Sequence, residues 1–300
     1  MPVCLRRTVS FRRQSRPRFI QTRLMACEQT GARVSAAPIK PDGQLDLDQF
    51  ESMLTTRTKV VSSAHVSNVL GVVYPVARIV EIAHARGILL VVNGVQGIPH
   101  EPVDVQSFGC DFYAFSGHKM CGPTGTGALY GRGEWLERIA PQEGVSAMAE
   151  HVSFEGWTPK DPPYRFEAGV PSIAEAIALG ASLDELQGLG MERGAAYEES
   201  LDQYATKQLA AIDRVRVLGR VDDRVSVVSF TVDGMDPNEV QGLIDRERGI
   251  EVRAGDQDAQ SLMQFLGVAG VVRASLGFYN TREEIDALVD GVKACFSAIH

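Results

Sequence analysis

The stretch "DFYAFSGHKMCGPTGTGALYG", residues 111–131, decides the fold and raises the question of what its lysine does. It begins as an apolar run typical of a strand, and Lys119 stands where that run stops, ahead of a glycine-rich loop. A lysine in such a place can pair with a phosphate or form a Schiff base with a carbonyl compound. A P-loop does not fit, because there the lysine follows the glycines instead of preceding them.

The segments before this stretch alternate between strand and helix patterns. Residues 74–87 carry apolar side chains at helical spacing, with Pro75 near the start and Gly87 past the end. Residues 88–97 are almost continuously apolar at first, as expected of a strand that is buried on both faces. Because strands that alternate with helices form βαβ units, the sequence predicts an α/β fold built on a parallel sheet.

Polar side chains follow each of three predicted strands. They are His65 and Asn68 after the first strand, Asn93 and Gln96 after the second, and Ser116, His118 and Lys119 after the third. In an open α/β sheet the carboxyl ends of parallel strands meet at one edge, and ligands bind in the crevice there. We therefore expect the three clusters to converge around Lys119. The neighbours favour the Schiff base, because Ser116 and His118 can bind a phosphate group while Gln96 and Asn68 can reach the substituents of a ring.

Composition excludes several classes of protein. A net charge of −8 argues against a nucleic-acid partner. No apolar run approaches the roughly 20 residues that a bilayer-spanning helix needs, so we expect no membrane partner. The five cysteines are scattered without a CxxC pair, which indicates reduced thiols in a cytosol-like compartment and no metal site.

The first residues differ from the rest in charge. Residues 1–25 hold seven arginines and no acidic residue. This composition is typical of an organelle transit peptide, but it also fits a disordered terminus without a function. We expect residues 1–22 to be disordered and the protein to be cytoplasmic, with an organelle as the alternative if this segment is a transit peptide.

Several long motifs resemble one known family. They are "HVSNVLG" (65–71), "GVQGIPHEPVDVQSFGCDFYAFSGHKMCGPTGTGALYG" (94–131), "RFEAGVPSIAEAIALGASL" (165–183), "GIEVRAG" (249–255) and "VRASLGFYNTREEID" (272–286). From about residue 23 onward the chain resembles the group II cysteine desulfurases and selenocysteine lyases. These are class V aminotransferases, a branch of the fold-type I pyridoxal 5′-phosphate (PLP) enzymes.

The resemblance implies an architecture and a reaction. It implies an α/β fold with a parallel-rich sheet flanked by helices, and a smaller C-terminal α+β domain. We place a partial PLP-binding large domain at residues 23–184 and the small domain at residues 185–300. Because family members carry further chain ahead of the matched part, we expect the N-terminal end to be truncated. The implied reaction converts L-cysteine to L-alanine and leaves a persulfide on the enzyme, which works as a homodimer and hands sulfur to an acceptor protein for iron–sulfur cluster assembly.

The resemblance also assigns roles to single residues. Lys119 would hold PLP covalently, Gln96 would bond the ring O3′, and Asn68 would lie near substrate and ring. Ser116 and His118 would bind the phosphate. Arg253 and Arg273 would receive the substrate carboxylate, which suits the bidentate geometry of a guanidinium.

Three positions depart from the family pattern. Asn93 stands where the family has an aspartate that keeps the ring nitrogen charged, and losing such a bond costs about 1.5–3 kcal/mol. Asp258, in "GDQDAQSL" (255–262), stands where the family has its nucleophilic cysteine. A carboxylate cannot carry sulfur as a thiolate does. Val170 replaces a threonine that in the family reaches the partner subunit's phosphate, so we expect weaker cofactor binding and a less secure dimer.

Two functions follow from the matches and the departures. The first is a PLP-dependent cysteine desulfurase-like protein whose desulfurase activity is impaired, with weaker amino-acid chemistry at Lys119 retained. The second is a non-catalytic paralogue that binds a full-length desulfurase, as a heterodimer, or a sulfur-transfer protein. A decaying gene product without a selected role is a further alternative, and whether the chain is an enzyme stays open at this point.

Overall fold

The structure is a computed structural model that describes residues 3–6 and 17–297. Its larger part is built on a six-stranded sheet. The strands are β1 (Val3–Arg6), β2 (Arg33–Ala36), β3 (Thr58–Ala64), β4 (Leu89–Asn93), β5 (Phe112–Ser116) and β6 (Gly127–Gly131). In space they follow the order β2-β1-β3-β4-β5-β6.

The centre of this sheet is parallel. Strand β3 pairs with β4, and β4 pairs with β5, in parallel register. Strands β1 and β6 pair antiparallel with their neighbours toward the two edges. The predicted α/β fold is therefore confirmed, with its parallel part confined to the strands that precede the polar clusters.

Short helices accompany the first half of the chain. They are α1 (Pro17–Thr30), α2 (Leu47–Met53), α3 (Val76–His84), α4 (Val105–Phe108) and α5 (Gly133–Arg138). Helix α3 shows why they form, because its apolar side chains recur at helical spacing and five of them are buried. Pro75 occupies the N-cap of α3, and the helix ends at His84, three residues before Gly87, as the sequence predicts.

The N-terminal segment differs from the expectation of disorder. Strand β1, at Val3–Arg6, lies between β2 and β3 and is antiparallel to both. Helix α1 then begins at Pro17, whereas residues 1–2 and 7–16 lie outside the described part of the chain. A short β-prone stretch can occupy this position because the facing edges of β2 and β3 otherwise present backbone groups without partners.

The second half of the chain forms a smaller sheet with its own helices. A hairpin of β7 (Ala149–Val152) and β8 (Trp157–Pro159) precedes the long helices α6 (Ile173–Leu189) and α7 (Met191–Ala210). The antiparallel sheet has the order β11-β12-β10-β9. Its elements are β9 (Val215–Leu218), β10 (Val227–Val232), α8 (Pro237–Arg248), β11 (Arg253–Gly255), α9 (Gln260–Leu266), β12 (Val271–Ser275) and α10 (Arg282–Ser297).

Local signals in the sequence fix the ends of these helices. The backbone N–H of Glu284 donates to Thr281 Oγ1, and Glu284 Oε2 accepts from the backbone N–H of Thr281. This reciprocal pair is the capping box that the sequence predicts at the start of α10. Helix α8 likewise begins with Pro237 in its first turn and Asp236 as its N-cap.

The apolar residues form two main cores. One core fills the space between the larger sheet and its helices, and the other lies between the smaller sheet and α7, α8 and α10. The first core also includes Leu262, Met263 and Val271 from the C-terminal half. The boundary predicted at residue 184 falls inside helix α6, so the two parts are joined by a continuous helix as well as by shared packing.

No helix within the described residues is both long enough and apolar enough to cross a bilayer.

Candidate active site

The parallel strands bring the three polar clusters to one edge of the sheet. Ala64, at the end of β3, lies opposite Asn93, and Asn93 lies opposite Ala114 of β5. One residue further on, the His65 N–H donates to the Asn93 carbonyl at 2.9 Å, which extends the pairing of the two strands past the end of β3. The clusters thus start level with one another, as their spacing along the chain predicts.

Lys119 lies beside a cavity of about 430 Å³. The chain turns directly after β5 into a short 3-10 helix, Gly117–Met120, that carries the lysine. Its lining includes Gln96, His118 and Lys119, which follow strands of the larger sheet, and residues 275–279 at the end of β12; we call these two groups its two walls. His100 and Glu198 also line the cavity. A volume of this size suits a small aromatic ligand with a phosphate group.

Two of the predicted phosphate ligands contact each other. Ser116 Oγ lies 2.7 Å from His118 Nδ1, at the point where β5 meets the turn. Of this pair, His118 lines the cavity. Together with the Lys119 amine, the pair places hydrogen-bond donors where an anionic group can bind.

The loop that follows β4 is packed too tightly for side chains at two positions. A Cβ atom on Gly94 would lie 2.0 Å from the Tyr113 ring, and one on Gly97 would lie 2.1 Å from His65 Nδ1. Asn93 Oδ1 accepts from the backbone N–H of Val95 at 3.1 Å, which closes the start of the loop. Gln96, Pro99 and His100 of this loop line the cavity, whereas Asn93 is not among the lining residues.

His65 supports this loop from beneath. Its Nδ1 lies 3.0 Å from the Tyr113 hydroxyl, and its Nε2 lies 3.3 Å from Glu101 Oε2. Burial lowers the pKa of His65 to about 4, so the ring is neutral near pH 7. Burial also raises the pKa of Glu101. The structure therefore places His65 against the loop at residues 94–97 and not in the cavity with Lys119. We call this loop, together with His65 and Tyr113 packed against it, the floor of the site.

The two predicted carboxylate-binding arginines lie side by side in the smaller sheet. Arg253 of β11 is directly opposite Arg273 of β12, and residues paired in this way share a face of the sheet. Arg273 Nη1 donates to the Asn68 carbonyl at 2.9 Å. Asn68 Nδ2 in turn lies 3.4 Å from the Gln257 carbonyl, so Asn68 lies beside Arg273. Neither these two residues nor Arg253 is among those that line the Lys119 cavity.

Asp258 pairs with one of these arginines. Arg253 Nη2 lies 3.2 Å from Asp258 Oδ2, and both side chains are substantially exposed to solvent. Gln257 and Asp258 each have a positive φ, of 55° and 56°, and the Asp258 N–H donates to Asp256 Oδ1. An exposed pair of this kind contributes about 0–1 kcal/mol, so it holds the loop only weakly.

Of the four cysteines between residues 24 and 296, one has an exposed thiol. Cys27, Cys110 and Cys295 are buried, and burial raises the pKa of each thiol. Cys121 is exposed and lines the cavity two residues after Lys119. Within the ranges 3–6 and 17–297, no group of three His, Cys, Asp or Glu side chains is arranged to hold a metal ion.

An exposed apolar face lies on α6, beyond the cavity. Val170, just before this helix, is 87% exposed, and Ile173 and Ile177 are also exposed. Ile173 and Ile177 are four residues apart, so they lie on one side of α6.

Sequence reasoning missed two polar residues at the site. His100 Nε2 lies 3.0 Å from Gln96 Nε2, and His100 Nδ1 lies 2.6 Å from Glu198 Oε2. The spacing of four residues between Gln96 and His100 is a signal that could have paired them. Glu198 lies on α7, 98 residues beyond His100 along the chain, and no local sequence pattern predicts its contact with His100.

Comparison with known proteins places this site in a family. Residues 20–288 match the family model described as aminotransferase class-V. A probable cysteine desulfurase from Halobacterium salinarum is 47% identical over 266 residues, which cover 88% of this chain and 64% of that protein. The chain thus spans less than two thirds of the length of this relative.

Solved structures show the same likeness in three dimensions. The cysteine desulfurase CsdA (S-sulfonic acid) from Escherichia coli superposes with a TM-score of 0.87 at 38% identity, covering 92% of this chain and 68% of that one. A C-DES mutant with glycine covalently linked to its PLP cofactor gives a TM-score of 0.80 at 22% identity, over 93% of this chain and 72% of that one. At that identity the second likeness shows the fold alone. The predicted fold-type I architecture is therefore confirmed, and the chain belongs to the class-V aminotransferase family, among its cysteine desulfurase-like proteins.

Proposed function

We propose that the chain is a PLP-dependent, cysteine desulfurase-like protein that acts on small amino acids and forms persulfide poorly. The observation that carries the proposal is the position of Lys119, which shares a cavity of about 430 Å³ with Gln96 and His118. The three side chains in this cavity suit three groups of PLP: the amine suits its aldehyde, the amide its ring oxygen and the imidazole its phosphate.

The residues present fit PLP and divide its groups among them. Lys119 would hold the carbonyl carbon, Gln96 the ring O3′, and His118 with Ser116 the phosphate. Asn93, which lies outside the cavity lining at the start of the loop after β4, would offer the ring nitrogen only a neutral amide, which would weaken both cofactor binding and the activation of the ring. When bound, PLP supplies an electron sink for a bond broken at the substrate Cα.

The side chains around the cofactor would then orient the amino acid and move its proton. Arg253 and Arg273 lie opposite each other in the smaller sheet and would receive the substrate carboxylate. The Lys119 amine would take the proton from Cα and return it. The wall formed by residues 275–279 would limit water around the reacting atoms.

Impaired sulfur transfer follows from Asp258. Sulfur removal needs a thiolate that attacks the substrate sulfur and keeps it as a persulfide. The carboxylate of Asp258 cannot do this, and it lies against Arg253 at 3.2 Å, where it competes with a substrate carboxylate. Reactions that need only Lys119, such as exchange of the Cα proton, are expected to be retained.

The exposed face of α6 supports a subunit interface. Ile173 and Ile177 lie together on that helix and are open to solvent in the single chain. Exposed apolar faces of this kind mark association sites. We infer a homodimer, or a heterodimer with a paralogue, and sedimentation of the purified chain alone and with a full-length desulfurase distinguishes them from a monomer.

An absorbance titration with PLP tests the proposal. We expect a visible band of covalently bound PLP that is lost in Lys119→Ala and kept in Lys59→Ala, a matched control on the exposed surface of β3. The loaded protein should exchange the Cα proton of L-alanine but release little sulfur from L-cysteine. A band of equal strength in the parent and in Lys119→Ala, or no band in either protein, would overturn the catalytic proposal and favour the non-catalytic binding partner.

A further inference from the structure

A chain of hydrogen-bonded side chains connects the two walls of the cavity. It begins at Gln96, passes through His100 to Glu198 Oε2, and continues to Ser226 Oγ, 2.9 Å away. Ser226 Oγ also lies 2.7 Å from the carbonyl of Leu276. Gln96 and Leu276 belong to the two walls, and His100 and Glu198 also line the cavity, so the chain runs along the lining from one wall to the other.

The members come from four separate parts of the fold. Gln96 and His100 lie in the turn after β4, and Glu198 lies on α7. Ser226 directly precedes β10, and Leu276 directly follows β12. The connection therefore joins the larger sheet to the smaller sheet through one carboxylate.

The atoms in contact fix the direction of these hydrogen bonds. The Gln96 amide nitrogen can only donate, so His100 Nε2 must accept its hydrogen. A neutral imidazole that accepts at Nε2 carries its proton at Nδ1, which faces the Glu198 carboxylate. Ser226 has one hydroxyl proton, which it shares between Glu198 Oε2 and the Leu276 carbonyl. One tautomer of His100 thus satisfies both of its neighbours.

Burial makes this arrangement a strong constraint. The side chain of His100 is 11% exposed and that of Glu198 is 6% exposed, while Ser226 is 1% exposed. Breaking one contact in such surroundings leaves a largely buried polar group without its partner, which costs more than it would at the surface. The Gln96 amide is consequently held in one orientation, with one N–H and Oε1 left for a ligand in the cavity.

We propose that His100 and Glu198 are positioning residues that orient the Gln96 amide toward the ring oxygen of the cofactor. Through Ser226 they also connect Gln96 to Leu276 in the wall formed by residues 275–279. The part of this inference that concerns the cofactor rests on the proposed function. The part that concerns the side chains rests on the contacts alone.

A double-variant cycle tests the cofactor part through the dissociation constant of PLP. His100→Leu is expected to weaken PLP binding about fivefold to tenfold, as one lost hydrogen bond would. In a Gln96→Ala background the same change should have less than about a twofold effect, because His100 acts through Gln96. His100→Gln, which keeps a group near Gln96, should recover part of the loss. An equal loss in both backgrounds would show that His100 only fills space, and would overturn the proposal.

A matched control comes from a second histidine–carboxylate pair. His84 Nε2 lies 2.9 Å from Asp111 Oδ2, outside the lining of the cavity. His84→Leu is expected to lower stability and leave the PLP dissociation constant unchanged. A loss of PLP affinity in His84→Leu as large as that in His100→Leu would mean that affinity reports general stability, which also overturns the proposal.

Nitrogen NMR of ¹⁵N-histidine-labelled protein without PLP tests the side-chain part independently. We expect His100 as the neutral tautomer protonated at Nδ1, changing toward mixed tautomers in Glu198→Gln. A proton on Nε2 in the unmodified chain would overturn the proposed direction of the hydrogen bonds. Because this measurement needs neither cofactor nor folding of a His100 variant, it decides the inference even if PLP does not bind to Lys119.

Discussion

The floor of the Lys119 cavity and the Asp258 loop are built in opposite ways. The floor is close-packed, with Tyr113 and His65 pressed against glycines that have no room for a Cβ atom. The loop carries an exposed ion pair between Asp258 and Arg253 and two residues with positive φ, one of which, Gln257, is buried and donates from Nε2 to the Arg253 carbonyl. A change in the floor disturbs buried contacts, whereas a change at Asp258 disturbs an exposed ion pair that contributes little.

The resemblance to the desulfurases implies departures at Asp258 and Asn93. Asp258 is a partly exposed side chain of the loop, where a substitution is expected to alter chemistry and leave the fold intact. Asn93 lies at the floor, but its structural contact is an acceptor for the Val95 N–H, which an aspartate would provide equally well. Under the proposed function, both departures would therefore alter the reaction while they respect the packing.

The largest expected effect comes from restoring a thiol in the loop. Asp258→Cys should raise persulfide formation from L-cysteine by on the order of 100-fold, or about 2.7 kcal/mol in the barrier. Persulfide is measured by alkylation and mass spectrometry, with Asp258→Ser as the matched control. Cys121→Ser should leave the gain intact, and equal rates for Asp258→Cys and Asp258→Ser would contradict the role given to this position.

Adding a methyl group to the floor by Gly94→Ala should lower the free energy of unfolding by about 1–3 kcal/mol, the usual cost of overpacking. Gly94→Ala places its Cβ 2.0 Å from the Tyr113 ring, whereas Gly133→Ala meets no atom within 4 Å and serves as the control. Urea unfolding compares the two variants. If both variants unfold at the same urea concentration, the floor can move to accept the added methyl group, which would contradict this prediction.

Acid should weaken the floor through His65. The folded pKa of about 4 is below the ordinary value of 6.5, so the unfolded chain takes up the proton first as the pH falls. The contribution is fully present above about pH 6.5 and is lost toward pH 4, with about 2 kcal/mol gone at pH 5. Unfolding free energies of the parent and of His65→Gln across this window measure it. Parallel curves for the two proteins would show that His65 does not titrate as described.

The smallest effect is expected at the ring nitrogen. Asn93→Asp should speed exchange of the L-alanine Cα proton by roughly tenfold, because a carboxylate holds the charged ring nitrogen better than an amide does. Stability should be unchanged, since the Val95 N–H keeps its acceptor. Proton NMR in D₂O follows the exchange, and an unchanged rate would place Asn93 outside the reacting site.

Much of the larger sheet could be predicted from the sequence because its signals are local. The apolar runs of β3–β5, the Pro75 start of α3 and the Thr281 capping box each depend on neighbours along the chain. The same spacing predicts that the polar clusters meet at one edge of the sheet. These features need no knowledge of distant contacts.

The rest depended on contacts between distant parts of the chain. The Glu198 carboxylate meets His100 across 98 residues, and the Arg253 and Arg273 register follows from strand pairing. The position of β1 between β2 and β3 is likewise a tertiary property, and the basic composition of that segment conceals it. No periodicity within a single element encodes any of these contacts.

The shared core has a consequence for how the molecule unfolds. Leu262, Met263 and Val271 belong to the C-terminal half, yet they pack in the core of the larger sheet. Helix α6 also runs without a break across the boundary expected at residue 184. Neither half can be removed without exposing the apolar interior of the other, so heat or denaturant should melt the two sheets together, in a single cooperative transition.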